Sequence, residues 1–295
     1  SRLSKPTRQH TCASFPMRLA CSYFTTTWLA ATSLALSVAS TSATIIHEPV
    51  IPPANSDSIN GTHLDILVDK IQAGTTKGFS IFKYGTNVVH DKEYKKKCEL
   101  LDISKLTGIA FNREGTVYAQ SAVKMGDLVT ACKAQGVVPA VVPGFKGITV
   151  GGAVVGAALD SSSGRYGQFG DVCRSMDVVL GDGRVVTCKP QDCEYSDLYH
   201  GLAGSFGSLG VLLGAEIQVV PWKDYVRLSY HVFSSMSDAI EFVRRTCNAQ
   251  AGTVNPAGMA PPLYVEGMHV VHRNGTSLAV VLCGDLVQNL DGDED

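Results

Sequence analysis

No CxxC pair occurs in this chain of 295 residues, and it has neither a GxGxxG nor a GxxxxGK[ST] run. Those absences argue against a zinc ribbon, a thioredoxin-like redox pair, a Rossmann dinucleotide fingerprint and a P-loop. Positive charge is not in surplus either: 25 Lys and Arg stand against 27 Asp and Glu, for a net charge of -2. A nucleic-acid binder needs a basic surface, so none is expected as a partner. The local cluster Lys92, Lys95, Lys96 and Lys97 reads as a solvated face. The nine cysteines are odd in number and scattered, Cys188 and Cys193 being the nearest pair. They read as buried reduced thiols, and no metal site is expected. No internal repeat is present.

Acidic residues are missing from the first 47 positions, which carry Arg2, Lys5, Arg8 and Arg18, and no charge at all falls between Leu19 and Ile46. A basic flank, an apolar middle and small residues around Ser40 to Ala43 suit a signal peptide or a single membrane anchor. The serines and threonines that dilute the run also suit an organellar transit peptide. Residues 1–47 are therefore expected to be a targeting segment or membrane anchor, directing the protein to the endoplasmic reticulum, another endomembrane or an organelle. The sequons at Asn60 and Asn274 matter only in a secretory lumen.

Beyond a proline linker at His47 to Pro53, hydrophobic spacing predicts a helix over Ile59 to Ala73. Short strands are expected at Phe79 to Lys83, Glu99 to Ile103 and Thr116 to Ser121. A helix over Lys124 to Gln135 should stop at Gly136. Val137 to Gly144 reads as a strand interrupted by prolines. Met176 to Leu180 and Arg184 to Cys188, joined by Gly181-Asp182-Gly183, form a hairpin signal, because Asp-Gly tolerates positive φ. Val211 to Val220 is the next strand. After Trp222 the pattern changes to strand (Tyr225 to Phe233), helix (Ser237 to Cys247) and strands near Leu263 to His269 and Ser277 to Cys283, ending in the acidic tail Asp291 to Asp295. Asp197-Leu198-Tyr199 reads as the capping and packing of a helix.

The densest chemical signal runs from Pro143 to Gly167 and holds Gly144, Gly147, Gly151, Gly152, Gly156, Gly164 and Gly167. A diphosphate needs several backbone N–H groups at hydrogen-bond distance, and a Cβ would obstruct that approach. Gly151-Gly152 followed by Ala153 to Leu159 reads as a loop feeding a helix start whose amides face the anion. Glycine pairs also mark tight packing, and spacing alone does not choose between the two readings.

Four segments in one order carry a resemblance: Thr149-Val150-Gly151-Gly152, Ser161-Ser162-Ser163-Gly164-x-Tyr166-Gly167, Val179-Leu180-Gly181-Asp182-Gly183 and Gly204-Ser205-x-Gly207-x-Leu209-Gly210. That order resembles the FAD-binding PCMH-type flavoproteins of the vanillyl-alcohol-oxidase family, and within them the Diminuto-like delta-24 sterol reductase branch. Tyr94-Lys95-Lys96-Lys97 and Val123-Lys124-Met125-Gly126 add to the likeness, which covers about Phe79 to Tyr230.

The resemblance implies an α+β fold: an FAD-binding PCMH-type domain of two α+β subdomains over 48–221, followed by the truncated start of an α+β substrate domain over 222–295. It implies FAD as cofactor, NADPH as reductant and a sterol as small-molecule substrate whose side-chain double bond is reduced. Membrane association would suit that substrate. By carry-over, the cofactor is expected against Thr149, Val150, Gly151, Gly152, Ala153, Val154, Val155, Gly156, Ala157, Ala158, Leu159, Asp160 and Ser161. Ser162, Ser163 and Tyr166 are contacts of second rank. Phe82 to Val88 sits where the family has its first phosphate loop, with Gly85, Thr86 and Asn87 foremost, and the backbone at Glu216-Ile217 is expected near the adenine. Some relatives link flavin covalently through a histidine; His90 stands near that loop, and a covalent link there is not expected. The catalytic acid stays unnamed. Two other readings remain: an FAD-dependent oxidase of a sugar lactone or alcohol on the same fold, and a flavin-binding module without turnover.

Overall fold

The computed structural model describes residues 61–83, 93, 96–112, 115–191, 194–247, 261–271, 273, 275 and 277–288. The targeting segment, the proline linker, Gly85, Thr86, Asn87, His90, the sequon asparagines and the acidic tail lie outside the described residues. Among the described residues no helix is long and apolar enough to cross a membrane. These residues divide into two compact units, 61–160 with 166–221 and 161–165 with 222–288.

The first unit opens with helix α1 (Gly61–Ala73), which buries Leu64, Leu67 and Ile71, one stripe at helical spacing. That stripe packs with Leu101, Ile103 and Leu106, beside the parallel pair β1 (Phe79–Phe82) and β2 (Glu99–Asp102). Then come β3 (Ile109–Asn112), β4 (Thr116–Gln120), helix α2 (Met125–Ala134) and β5 (Val137–Pro139). Gly136 takes φ +70 just past α2, the left-handed turn that ends a helix and that glycine adopts without a Cβ clash.

Helix α3 (Val150–Val155) and the hairpin β6 (Cys173–Val179) and β7 (Val185–Cys188) follow, then helix α5 (Ser196–Leu202), α4 being the short turn Ser163–Tyr166. Last comes β8 (Val211–Pro221). It is the spine of an antiparallel sheet ordered β3-β4-β8-β6-β7, and it also pairs with β5. One sheet face holds Val117, Ala119, Met176, Val178, Leu212, Ala215 and Ile217, which form the main core with Met125, Leu128, Cys132, Val150, Ala153, Val154 and Phe169. Gly181-Asp182-Gly183 closes the hairpin as its composition implies: Leu180 N–H donates to Arg184 O, and Gly183 has φ +84.

Three expectations are corrected here. The helix expected over Ala153 to Leu159 instead starts at Val150 and ends at Val155. The glycine pair therefore lies inside its first turn, because backbone carbonyls from elsewhere in the chain hold that turn helical despite glycine's low propensity. The strand expected over Val137 to Gly144 stops at Pro139, one residue before Ala140 N–H makes a last bond to Gln218 O of β8 at 3.0 Å. In α5 the N-cap position is Tyr195, so Asp197 stands in the first turn and does not cap, while Tyr199 is buried and donates to Gly170 O at 3.0 Å.

The second unit has β9 (Tyr225–Phe233), helix α6 (Met236–Cys247), β10 (Tyr264–Val271) and β11 (Ser277–Val287), in an antiparallel sheet ordered β10-β11-β9. Ala239 of α6 packs on Ala279, Val281 and Cys283, with Phe233, Phe242 and Val243 around them. Residues 161–165 join this unit: Ser161 O accepts from Val265 N–H at 2.9 Å, and Gly164 lies against Cys247 Sγ.

Candidate functional site

The segment that starts at Thr149 is tied down by long-range backbone bonds. Lys124 and Thr149 form an isolated antiparallel bridge. Beside it, Val150 N–H donates to Val123 O at 2.8 Å and Gly151 N–H to Ser121 O at 2.9 Å. Thr149 has extended backbone (φ -88, ψ 156), and its Oγ1 accepts from Gly152 N–H at 3.1 Å, a regular N-cap. Ala153 N–H donates to Thr149 O at 2.8 Å. The first four amides of α3 are thus all engaged within the protein, which corrects the expectation of bare amides turned toward an anion. The sequence does not show this, since the accepting carbonyls lie in a separate turn that follows β4.

The two adjacent glycines do different things. Gly151 is buried, and a Cβ there would lie 3.0 Å from Ser121 Cβ and 3.1 Å from Ser121 O, so glycine is what this packing admits. Gly152 is half-buried, and a Cβ there would lie 2.7 Å from Lys83 Nζ, the far end of a flexible side chain. Lys83 follows β1 directly, and its ammonium donates to Thr149 Oγ1 at 2.6 Å. Ser121, wholly buried, has an Oγ with no hydrogen-bond partner. Neither Lys83 nor Ser121 stands out in the sequence. The hint for Lys83 is a cation at the entrance to the glycine-bearing stretch at Gly85.

Of the other expected site residues, Thr149, Val150, Ala153 and Val154 are buried, and Gly156 and Leu159 are exposed. Val155, Ala157, Ala158, Asp160 and Tyr166 are half-buried, and Ala157 has φ +50 where the chain leaves the helix. Ser161 and Ser162 belong to the second unit, Ser162 being buried. Ile217 is fully buried in β8 with its side chain in the main core, and it is paired with Val117 of β4 on one side and Cys173 of β6 on the other. Gly167 is explained by packing: at φ +80 it leaves room for the Asp171 carboxylate, which accepts from Gln168 N–H at 2.7 Å.

A second polar cluster lies on the sheet face opposite the main core. Asp177, nearly buried, accepts from Tyr118 Oη at 2.8 Å and from Thr187 Oγ1 at 2.6 Å. Burial raises the Asp177 carboxyl above its usual range, against the two hydrogen bonds that lower it. Glu216 accepts from Asn112 Nδ2 at 2.9 Å and Thr116 Oγ1 at 2.7 Å. Burial also pushes the Cys132 thiol up to about 12 and the Cys283 thiol up to about 11, so both are protonated at neutral pH.

Residues 74–189, which hold this segment and Lys83, match the family of FAD binding domains. Over 114 residues the chain is 38% identical to the Delta(24)-sterol reductase of Homo sapiens, a stretch that covers 39% of this chain and 22% of that relative. Over 131 residues it is 34% identical to the Delta(24)-sterol reductase of Pisum sativum, covering 44% of this chain and 22% of the relative. Over 160 residues it is 31% identical to Cytokinin dehydrogenase 1 of Oryza sativa subsp. japonica, covering 53% of this chain and 28% of the relative. The match therefore spans between 22% and 28% of the length of these relatives. Two of these relatives are named as reductases and one as a dehydrogenase.

The residues around Thr149 fit the cofactor chemically. Thr149 Oγ1 already accepts from two donors, and among the described residues its own hydrogen meets no acceptor. Ser121 Oγ likewise has a hydrogen to give. The Lys83 ammonium adds a positively charged donor beside Thr149 Oγ1, and a diphosphate offers acceptors only.

Proposed function

We propose that the protein is an FAD-dependent oxidoreductase that reduces a side-chain carbon–carbon double bond of a sterol, with NADPH as electron source. The identity of 38% over 114 residues and 34% over 131 residues to Delta(24)-sterol reductases is the observation that carries this reading. In sum, NADPH and one proton convert the double bond to a CH–CH unit and leave NADP+, so electrons and protons balance.

Bound FAD supplies the two-electron transfer chemistry, and the protein contributes binding, orientation and exclusion of water. The proposed cofactor contacts are Thr149 to Asp160 with Tyr166, the backbone at Ile217, Ser161 and Ser162, and Gly85, Thr86 and Asn87. The bonds from Val150 and Gly151 to Val123 and Ser121 fix the direction of α3. They hold Gly152 at the surface of the domain, where nothing larger than hydrogen projects from its Cα.

A second reading draws on the similarity to a cytokinin dehydrogenase: an FAD-dependent oxidase that withdraws electrons from a small molecule such as a sugar lactone or alcohol. One experiment separates the two. The full chain is purified, its flavin absorbance is recorded, and NADPH is added without oxygen. Bleaching by NADPH, then return of the yellow colour on adding a sterol with a side-chain double bond, is the expected outcome. Flavin that ignores NADPH but is bleached by an oxidisable substrate and recovers quickly in air would favour the second reading. A folded chain that takes up no flavin would refute both.

A further inference from the structure

We propose that Lys83 supplies the positive charge that holds the diphosphate of FAD, with Gly152 as the opening through which the anion reaches it. The inference rests on the FAD-binding reading and adds a residue to it. It does not draw on a helix-terminus field, because the first amides of the short α3 are already bonded within the protein.

Three observations converge on the position. The Lys83 ammonium is held 2.6 Å from Thr149 Oγ1, across 66 residues of sequence, so it is placed by the fold and is not a freely wandering surface lysine. Thr149 Oγ1 accepts from both Lys83 and Gly152 N–H, which turns its own hydrogen away from them. One residue along, Ser121 packs its Cβ and carbonyl oxygen against Gly151, and its wholly buried Oγ has no partner. A cation and two unspent hydroxyl hydrogens thus lie along four consecutive backbone positions, Thr149 to Gly152. Such a group complements a ligand with several anionic oxygens and no hydrogens to give.

Gly152 decides where the ligand enters. Thr149 and Gly151 are buried, whereas Gly152 is half-buried, and a Cβ there would lie 2.7 Å from the ammonium and 3.1 Å from Thr149 Oγ1. Any side chain at this position would occupy the space in front of the charge. Gly152 has no positive φ to explain it, so close approach is the reason for glycine here.

The test compares the full chain with Lys83→Met and Lys83→Arg. Binding is read from the fluorescence of FAD and of riboflavin, which has the same ring and no phosphate, at several NaCl concentrations. Lys83→Met should weaken FAD about 10- to 100-fold, the size of a lost charge-assisted hydrogen bond, and leave riboflavin unchanged. Lys83→Arg should restore most of the affinity, and the salt dependence of FAD binding should be shallower in Lys83→Met than in the parent chain. Inorganic pyrophosphate should compete with FAD in the parent and fail to do so in Lys83→Met.

If Lys83→Met binds FAD as the parent does, the inference is wrong while the FAD reading stands. An equal loss of FAD and riboflavin would also overturn it, since the lysine would then act on the ring or on the fold. A parent chain that binds neither flavin would remove both the reading and the inference. Urea unfolding of each variant separates lost binding from lost structure, and a Lys83→Met chain that is unfolded while Lys83→Arg is folded and binds FAD no better than riboflavin counts against the proposal.

Discussion

Replacing Gly151 and Gly152 by alanine, one at a time, should separate packing from ligand approach. At Gly151 the new methyl meets Ser121 Cβ at 3.0 Å and the Ser121 carbonyl at 3.1 Å, and one of these neighbours is backbone that also accepts the Gly151 N–H. Overpacking of this kind costs about 1–3 kcal/mol. It is offset by roughly 0.8–1 kcal/mol of better helix propensity for alanine. The net expectation is a loss of about 1 kcal/mol, or roughly 2–4 °C in Tm for a chain of this size.

At Gly152 the methyl meets the tip of Lys83, a flexible side chain that can swing aside, and lies 3.1 Å from Thr149 Oγ1, so the same propensity gain is only partly opposed. Gly152→Ala should be as stable as the parent chain or up to about 1 kcal/mol more stable. Yet it should bind FAD at least about tenfold more weakly, because the methyl holds the ligand off the ammonium and one charge-assisted contact is lost. Urea titration gives the stabilities and flavin fluorescence the affinities. A Gly152→Ala chain with unimpaired FAD binding, or a Gly151→Ala chain as stable as the parent, would refute the reasoning.

Two further perturbations test the fold itself. Asp177 has a folded pKa raised above the unfolded value of 3.8, so its protonated form favours the fold. The stability it lends is complete below pH 3.8 and is lost as pH rises through the folded value. Asp177→Asn, which keeps a neutral group between Tyr118 and Thr187, should abolish that part of the pH dependence, a tenfold change in the proton affinity of the carboxyl being worth about 1.4 kcal/mol; unchanged stability–pH curves would contradict it. Leu128 is fully buried in the main core, and Leu128→Ala should cost about 2–5 kcal/mol by urea unfolding. A loss under about 1 kcal/mol would mean that the α2 face is not packed as described.

Local chemistry in the sequence carried far along this chain. Asp182-Gly183 located the β6–β7 hairpin, Gly136 the end of α2, and the apolar stripe of Leu64, Leu67 and Ile71 the inner face of α1. The order of glycine and serine motifs pointed to the family of FAD binding domains that residues 74–189 match. What stayed hidden is long-range. Nothing near Gly151 in the sequence says that its N–H is already given to Ser121 O, or that Lys83 lies against Thr149. Glycine propensity argued for a loop at 151–152, and tertiary hydrogen bonds overrode it. The short β3, with no alternation strong enough to mark it, was missed for the same reason: it is defined by its pairing with β4.

The position of β8 has a consequence for how the domain is born. β4 and β6 meet only through β8, which is the last strand of the unit to leave the ribosome. Until it emerges, β3–β4 and β6–β7 are separate ribbons with their apolar sides uncovered. The nascent polypeptide then depends on chaperones or on speed to avoid sticking to its neighbours. Slowing translation just before codon 211 should therefore raise aggregation, whereas a pause after 221 should not.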